Sequence, residues 1–231
     1  MHKILYQKSP LLRDRKRGLS ISEAQTFFQK GRAMKNGKAE NLAILATIRG
    51  INVPKFVVLR PSMSEDECAN TLRAFLDLLP HGSAVAVLIS AAQEDSTSAS
   101  FAGMYTTRLR VPATVRDIQT AVEEDRGSGA QKKEVASHYA AQRSVELGDV
   151  GMSIIVQMMI EADISGVVFS HSLNEPDGYY AISSSSGLEE AIVGGTSNGK
   201  LIRIVRGVNL KSVKETWVRQ IVSAMRAIER R

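Results

Sequence analysis

A lysine that follows a glycine at the start of a predicted helix is the first residue that could do chemistry. The segment NGKAENL, residues 36–42, places Lys38 at this position. The first N–H groups of a helix and the positive end of its dipole attract an anion, and a lysine adds a full positive charge. The segment therefore fits a phosphate contact. The simpler interpretation is a surface lysine without a ligand.

A second candidate is the run of small residues that follows a predicted strand, VAVLISAAQEDSTSASFAGMYTTRL at residues 85–109. Its part from Ser100 to Gly103, with Thr107 beyond it, can bring backbone N–H groups close to phosphate oxygens. The alternative is a hairpin loop rich in serine and alanine that binds nothing.

The third candidate consists of VQMMI at residues 156–160, SGVVF at 165–169 and GLEEAIV at 187–193. Taken alone, these residue types predict buried strands and their turns, because methionine is an ordinary core residue.

Metal binding and catalysis by a cysteine or serine nucleophile are poorly supported by the sequence. The four histidines lack metal-ligand spacing, the one cysteine, Cys68, falls on the apolar face of a predicted helix, and no Gly-x-Ser-x-Gly pattern occurs.

Apolar periodicity predicts the elements that must position these segments. The predicted helices run from Ser20 to near Gly31 and over Ala39–Arg49, Ser64–Leu79, Val115–Glu124, Lys132–Leu147 and Ser212–Arg231. The predicted strands are Phe56–Leu59, Ala84–Ser90, Tyr105–Val111, Ser153–Ile160, Gly166–Ser170, Tyr179–Ser183 and Leu201–Val205. Residues 1–18 are expected to form a basic lead-in without a pattern, and the serines after Ser183 a loop. This mixture of strands and helices predicts an α+β fold.

Composition narrows the class of protein. With 231 residues, 43% of them hydrophobic and 23% charged, the chain is ordinary for a globular protein, which excludes a mainly disordered chain. A single cysteine excludes a disulfide scaffold and a multi-cysteine zinc site. The sequence has no run of 18 apolar residues and no signal-peptide pattern at its N-terminus. We therefore expect a cytoplasmic protein that does not bind membranes.

Positive charge is concentrated at the two ends of the chain. Residues 1–38 hold ten Lys/Arg against two acidic residues, and residues 200–231 hold nine against two. Such ends could bind nucleic acid or an anionic partner, or they could be solvated helix faces. The candidate surface residues are Arg13, Arg15, Lys16, Arg17, Lys211, Lys214, Arg219 and Arg226.

Taken in order, these segments resemble the N-terminal nucleotide-binding domain of the pyruvate phosphate dikinase and phosphoenolpyruvate synthase family. The family pattern is GGKGANL, Val-Pro-x-x-Phe, VAVRSSATAEDxxxASFAGxxxT, VQxMV, SGVxF and GLGE. Here the corresponding segments are NGKAENL, VPKFVV, VAVLISAAQEDSTSASFAGMYTT, VQMMI, SGVVFS and GLEEAIV. The resemblance spans residues 36–205 and implies an ATP-grasp-like α+β fold of mixed or antiparallel sheets flanked by helices.

The resemblance also implies an organisation and a set of ligand-binding residues. We expect a basic extension with a short helix at 1–35, two subdomains at 36–110 and 111–210, and a basic amphipathic helix at 211–231. ATP, together with Mg²⁺, is the implied cofactor. The implied ATP-binding residues are Lys38, Ser100, Gly103 and Thr107 toward the phosphates, Gln157 and Met159 on the strand that passes adenine, and Glu190 in the GLGE-like segment.

The departures from the family pattern concern catalysis. The arginine of VAVRSS is Leu88 here, and the next serine is Ile89. In the family that arginine reaches the transferred phosphate, and an aliphatic side chain supplies no positive charge there. The acidic DIEW segment, the Gln-x-Arg-Pro segment, the phosphohistidine domain and the pyruvate-binding barrel have no counterpart in the sequence. We therefore predict impaired catalysis and assign no catalytic residue and no metal ligand.

Three functions remain open at this point. The first is a catalytically impaired domain that binds a nucleotide, a partner protein or a second copy of itself. The second is the ATP-binding subunit of a split phosphotransferase, a kinase-type enzyme whose phosphohistidine and metal-binding carboxylates lie on another chain. The third is a basic scaffold that binds nucleic acid through its termini. The length is too short for a complete phosphoenolpyruvate synthase.

Overall fold

The computed structural model describes residues 2–6, 38–90, 107–124, 153–170, 178–187 and 199–230, with the backbone alone at 2–6, 89 and 90. The strands are β1 (His2–Tyr6), β2 (Phe56–Leu59), β3 (Ala84–Ser90), β4 (Thr107–Pro112), β5 (Ser153–Met158), β6 (Ile164–Phe169), β7 (Tyr179–Ser186) and β8 (Lys200–Val205). The helices are α1 (Lys38–Ala46), α2 (Glu65–Leu76), α3 (residues 115–124) and α4 (Thr216–Glu229), with a 3₁₀ turn at Leu210–Ser212.

The strands form two sheets, and the chain divides into two compact units that each contain one of them. The first unit comprises Gly18–Thr47 and Asn52–Met159 and holds the sheet ordered β2-β5-β3-β4. The second unit comprises Met1–Arg17, Ile48–Ile51 and Ile160–Arg231 and holds the sheet ordered β1-β6-β7-β8. Every strand pair within these sheets is antiparallel, which confirms the predicted α+β class. The predicted subdomains at 36–110 and 111–210 stay a prediction.

In the first unit, one face of the sheet packs against α2 and α3. The sheet contributes Val57, Leu59, Val85, Val87, Val111, Ile154 and Val156, and the helices contribute Leu72, Phe75, Ile118, Ala121 and Val122. Burying each large side chain of this kind stabilises the fold by about 1.5–3 kcal/mol. Cys68 lies at the margin of this cluster, as its place on the apolar face of the predicted helix indicated.

Helix α2 begins where the sequence indicated, because Ser64 forms a capping box. The backbone N–H of Glu67 donates to the Ser64 hydroxyl at 3.2 Å, and the backbone N–H of Ser64 donates to the Glu67 carboxylate at 2.8 Å. Two backbone donors that would lack partners at the helix start are thereby satisfied.

In the second unit, α4 covers one face of the sheet. Val168, Tyr180 and Ile182 contribute from the strands, and Val218, Ile221, Val222 and Met225 contribute from the helix. The helix begins at Thr216, four residues later than predicted, because residues 210–212 form a 3₁₀ turn whose N-cap is Asn209.

Two predictions about strands were wrong. Residues 2–6 were expected to be unpatterned but form β1, which pairs with β6 from His2↔Val168 to Tyr6↔Ile164. The serines after Ser183 were expected to form a loop but extend β7 to Ser186, opposite Ile164 of β6. Hydrogen bonding to neighbouring strands overrides the weak local preference in both segments.

Three predicted elements lie outside the described residues: the helix near Ser20, the helix at Lys132–Leu147 and the segment at 188–193.

Candidate functional site

The candidate site lies on the second face of the first unit's sheet, which α1 covers. Ala39 of α1 packs with Phe56 of β2 and Ile155 of β5, and all three are less than a tenth exposed. Partly buried apolar side chains complete this cluster: Leu42, Ala43, Val53, Val58 and Leu88. The apolar residues of α1 therefore seat its first turn, which begins at Lys38, on the sheet.

Strand register brings three of the sequence-predicted positions to this same face. Thr107 of β4 is opposite Leu88 of β3, and Leu88 is in turn opposite Ile155 of β5. Gln157 is opposite Ala86, two residues along from Leu88. Residues that face each other across an antiparallel pair project from the same side of the sheet, as do alternate residues along a strand. Thr107, Leu88 and Gln157 therefore share the α1 side, with about 12 Å between the Cα atoms of Thr107 and Gln157.

Lys38 occupies the first position of α1 and is half-buried. The neighbouring Ala39 is 4% exposed and anchors this turn to Phe56 and Ile155. The N–H groups of the first helical turn and the lysine ammonium make this end of α1 electropositive, while Glu40 in the same turn opposes it. The geometry suits an anion held at the helix start.

Gln157 and Met159 lie at the end of β5, where each forms a hydrogen bond to a neighbouring segment. Gln157 and Met159 are both half-buried. The side-chain amide of Gln157 donates to the backbone carbonyl of Pro54 at 3.4 Å. The backbone N–H of Met159 donates to the carbonyl of Ala84 at 2.9 Å. The side chain of Gln157 thus has a weak internal partner that a ligand could replace.

Leu88 lies on this face between Thr107 and Ile155 and is partly buried against the α1 cluster. An arginine at this point would place a guanidinium on the same face as Thr107 and Gln157. Leucine instead extends the apolar surface under α1. This side of the sheet therefore has apolar packing where the family pattern has a positive charge.

Three predicted site residues, Ser100, Gly103 and Glu190, lie outside the described residues. Within the described ranges, no group of three or more His, Cys, Asp or Glu side chains could hold a metal ion. The prediction of Mg²⁺ therefore has no protein carboxylate cluster to support it in that part of the chain.

A groove in the described part of the chain lies away from the α1-covered face. It is an open groove of about 370 Å³ lined by β4 and α3, including Arg108, Arg110, Asp117 and Glu124. Arg108 projects to this side of β4 and forms an ion pair with Glu124 at 2.5 Å. Neither Arg108 nor Glu124 carries a signal in the sequence that would separate it from an ordinary surface charge.

A polar cluster in the second unit was missed by sequence reasoning. The buried Tyr180 hydroxyl donates to the carboxylate of Glu229 at 2.6 Å, and Arg206 donates to the other oxygen of that carboxylate at 2.6 Å. The Arg206 guanidinium also lies 5.0 Å from the centre of the Tyr180 ring. Burial, and then the hydrogen bond to Glu229, raise the pKa of Tyr180. These three residues are too far apart in sequence for any local pattern to indicate the cluster.

Arg226 extends this cluster and is half-buried, so its guanidinium is not part of a fully exposed basic surface. Its guanidinium donates to the backbone carbonyls of Arg206 and Val208 at 2.5 and 2.7 Å. By contrast, Lys211 and Lys214 are exposed. The C-terminal positive charge therefore has both a structural part and an exposed part.

Comparison with known proteins identifies what the chain resembles. Residues 57–220 match the family model described as pyruvate phosphate dikinase, AMP/ATP-binding domain. This match includes Leu88, Thr107, Gln157 and Met159, and it begins after α1, so that Lys38 lies outside it.

Individual relatives match about half of the chain. An uncharacterized phosphotransferase of Bacillus subtilis is 37% identical over 112 residues, which is 48% of this chain and 13% of the relative. A probable phosphoenolpyruvate synthase of Archaeoglobus fulgidus is 33% identical over 111 residues, 48% of this chain and 14% of the relative. A prodigiosin synthesizing transferase of Serratia marcescens is 32% identical over 121 residues, 51% of this chain and 13% of the relative. The matched region is thus a small part of each relative.

Among the described helices, none combines the length and the apolar character needed to cross a membrane.

Proposed function

The chain belongs to the pyruvate phosphate dikinase AMP/ATP-binding domain family, and we propose that it binds an adenine nucleotide without transferring its phosphate. The fold is the ATP-grasp-like α+β arrangement of that family. Lys38 and Thr107 contact the phosphates, and Gln157 and Met159 lie toward the adenine. Ser100, Gly103 and Glu190 complete the site, with Mg²⁺ bound through the nucleotide. The protein acts by holding this nucleotide or by docking with a partner protein.

One observation supports the loss of transfer. Leu88 lies between Thr107 and Ile155 on the α1-covered face and packs in the apolar cluster there. Phosphoryl transfer depends on positive charge around the transferring phosphate, which a partly buried aliphatic side chain cannot supply. Nucleotide binding does not require the arginine of the family pattern. The helix start at Lys38 and the hydroxyl of Thr107 still offer hydrogen-bond donors to the phosphates.

Calorimetric titration of Mg-ATP into the purified chain tests the binding. We expect saturable binding that Lys38→Ala weakens at least tenfold. Lys214→Ala removes the same charge from an exposed position in the second unit and serves as the matched control, with unchanged affinity. Thermal unfolding of both variants establishes that each is folded. Absence of heat and of any rise in melting temperature at millimolar ATP would overturn the proposal.

Incubation with ATP labelled on its γ-phosphate tests the second half of the proposal. We expect no label on the protein and no release of labelled phosphate. Labelling of the chain, or of a specific protein added from a native lysate, would instead establish the ATP-binding subunit of a split phosphotransferase.

A second candidate function is supported by the exposed lysines of the second unit. Lys211 and Lys214 precede the start of α4, where the N-cap Glu215 makes no side-chain cap hydrogen bond. Positive charge beside a helix start favours a polyanion such as nucleic acid. If this surface binds nucleic acid, affinity for a labelled duplex falls steeply with salt, and the double charge reversal of these two lysines abolishes it. Binding that is absent or insensitive to salt would exclude the candidate.

A further inference from the structure

Strand β4 contains a bulge at the point where it passes Ala86 of β3. Val85 is opposite Val111, and Val87 is opposite Arg108. Between these pairs β3 has one residue, Ala86, whereas β4 has two, Leu109 and Arg110. One extra residue on one strand of an antiparallel pair is the defining property of a β-bulge.

Arg110 takes the unusual conformation that this bulge requires. Its φ is +57°, and in the described part of the chain it is the one residue other than glycine with a positive φ. A side chain with a Cβ pays a conformational cost in this left-handed region, which glycine avoids. Such a conformation persists where the surrounding structure imposes it.

The bulge decides which residues of β4 face α1. Beyond it, Thr107 is opposite Leu88 on the α1 side, and Arg108 is opposite Val87 on the side that α2 and α3 cover, where it pairs with Glu124. If β4 kept its sequence but lost the bulge, the register from Val85↔Val111 would continue evenly and bring Arg108 opposite Leu88. A shift of one residue exchanges the two faces of a strand. Thr107 would then face away from Gln157 and α1.

We propose that Arg110 is a positioning residue for nucleotide binding, because its left-handed bulge holds Thr107 on the face that carries Leu88 and Gln157. This inference rests on the proposed function, in which Thr107 contacts the phosphates. It assigns to Arg110 a role through the backbone, so that the conformation at this position matters and the guanidinium does not.

A competing explanation is that the bulge only protects an outer strand. In the sheet as described, β4 pairs with β3 alone, and bulges commonly occur on outer strands, where they discourage pairing with other chains. Under this explanation, changes at Arg110 alter stability or aggregation, and they leave the affinity for the nucleotide phosphates unchanged.

Two substitutions at one position separate these explanations. Arg110→Gly and Arg110→Val both remove the arginine side chain, but glycine favours the left-handed conformation and the β-branched valine opposes it. We expect Arg110→Gly to bind ATP as the parent chain does and Arg110→Val to bind ATP at least fivefold more weakly. Adenosine, which lacks the phosphates, should bind all three proteins equally. Arg116→Ala removes an exposed positive charge from α3 and controls for the loss of charge.

Deletion of Arg110 gives the converse test, because Leu109 alone then lies opposite Ala86 and the even register keeps Thr107 opposite Leu88. We expect the deletion variant to bind ATP as the parent chain does and to retain the NMR cross-strand contact between Leu88 and Thr107. Equal ATP affinity of the glycine and valine variants would overturn the inference, even if the deletion variant does not fold. If the parent chain binds ATP and these variants bind it equally, the inference fails and the proposed function stands. If the parent chain binds no ATP, the proposed function itself fails.

Discussion

Leu88 and Thr107 lie directly opposite each other on β3 and β4, and both project from the sheet face that α1 covers. One is an apolar side chain where the family pattern has an arginine, and the other is an exposed hydroxyl that the resemblance assigns to the phosphates. Their pairing places the departure from the family beside a retained ligand-binding position. The consequences for binding and for transfer can therefore be separated by changing Leu88 alone.

Leu88→Arg is expected to tighten ATP binding at least tenfold and to leave adenosine binding unchanged. A guanidinium beside Thr107 can make charge-assisted hydrogen bonds to phosphate, each contributing about 1.5–3 kcal/mol. Calorimetry with ATP and adenosine measures the difference. Leu88→Met keeps the volume and the apolar character of the parent side chain and should change neither affinity. An arginine variant that binds ATP no better than the methionine variant would place the phosphates away from this face.

Gly166→Ala is expected to lower the free energy of unfolding by about 3 kcal/mol. A Cβ at this position of β6 would lie 2.2 Å from the backbone carbonyl oxygen of Ser183 in β7, and a backbone oxygen cannot move away without breaking strand pairing. Urea denaturation measures the loss. Gly207→Ala is the matched control, because a Cβ there meets no heavy atom within 4 Å, and its stability should equal that of the parent. Equal behaviour of the two variants would contradict the close approach of the strands.

Ser165→Ala is expected to leave the free energy of unfolding unchanged or to raise it by up to about 1 kcal/mol. The Ser165 hydroxyl is buried and lacks a hydrogen-bond partner, so its removal relieves a desolvation cost. Ser184→Ala provides the contrast, because that hydroxyl donates to the carbonyl of Lys200 at 3.3 Å, and its loss should cost about 1 kcal/mol. The comparison uses urea denaturation, and a clear loss in Ser165→Ala would mean that an ordered water satisfies the hydroxyl.

The parts of the fold that depend on local sequence were predictable. The β-branched run AVAVLIS becomes β3, because such residues suit a strand buried on both faces, and both faces of β3 are covered by apolar clusters. The Ser64–Glu67 pair marks the start of α2 because a capping box needs only residues three positions apart. Thr107 and Gln157 share a sheet face, and their assignment to one ATP site stays a prediction.

The parts that depend on distant pairing were not predictable. Nothing in HKILY specifies that β1 pairs with β6, more than 150 residues away. Arginine is not a residue type that indicates a left-handed conformation, so the bulge at Arg110 and the resulting orientation of Thr107 left no mark in the sequence. The cluster of Tyr180, Arg206 and Glu229 depends in the same way on the packing of α4 across the sheet.

Tyr180→Phe is expected to lower the free energy of unfolding by about 1 kcal/mol at pH 7, through loss of the hydrogen bond to Glu229. Burial and that hydrogen bond raise the pKa of Tyr180 above its ordinary value of 10.0, so the folded state keeps the proton at a pH where the unfolded state releases it. This contribution is complete below pH 10 and is lost as the pH rises from there toward the folded-state pKa. The stability difference between the parent chain and Tyr180→Phe should therefore hold up to pH 10 and shrink as the pH rises to 11 in urea denaturation. Tyr179→Phe, which removes an exposed hydroxyl from the same strand, should stay within about 0.5 kcal/mol of the parent chain at pH 7.

A stability difference for Tyr180→Phe that stays constant from pH 9 to pH 11 would contradict this account. The Tyr180 hydroxyl would then ionise equally in the folded and unfolded states, and the hydrogen bond to Glu229 would not hold its proton.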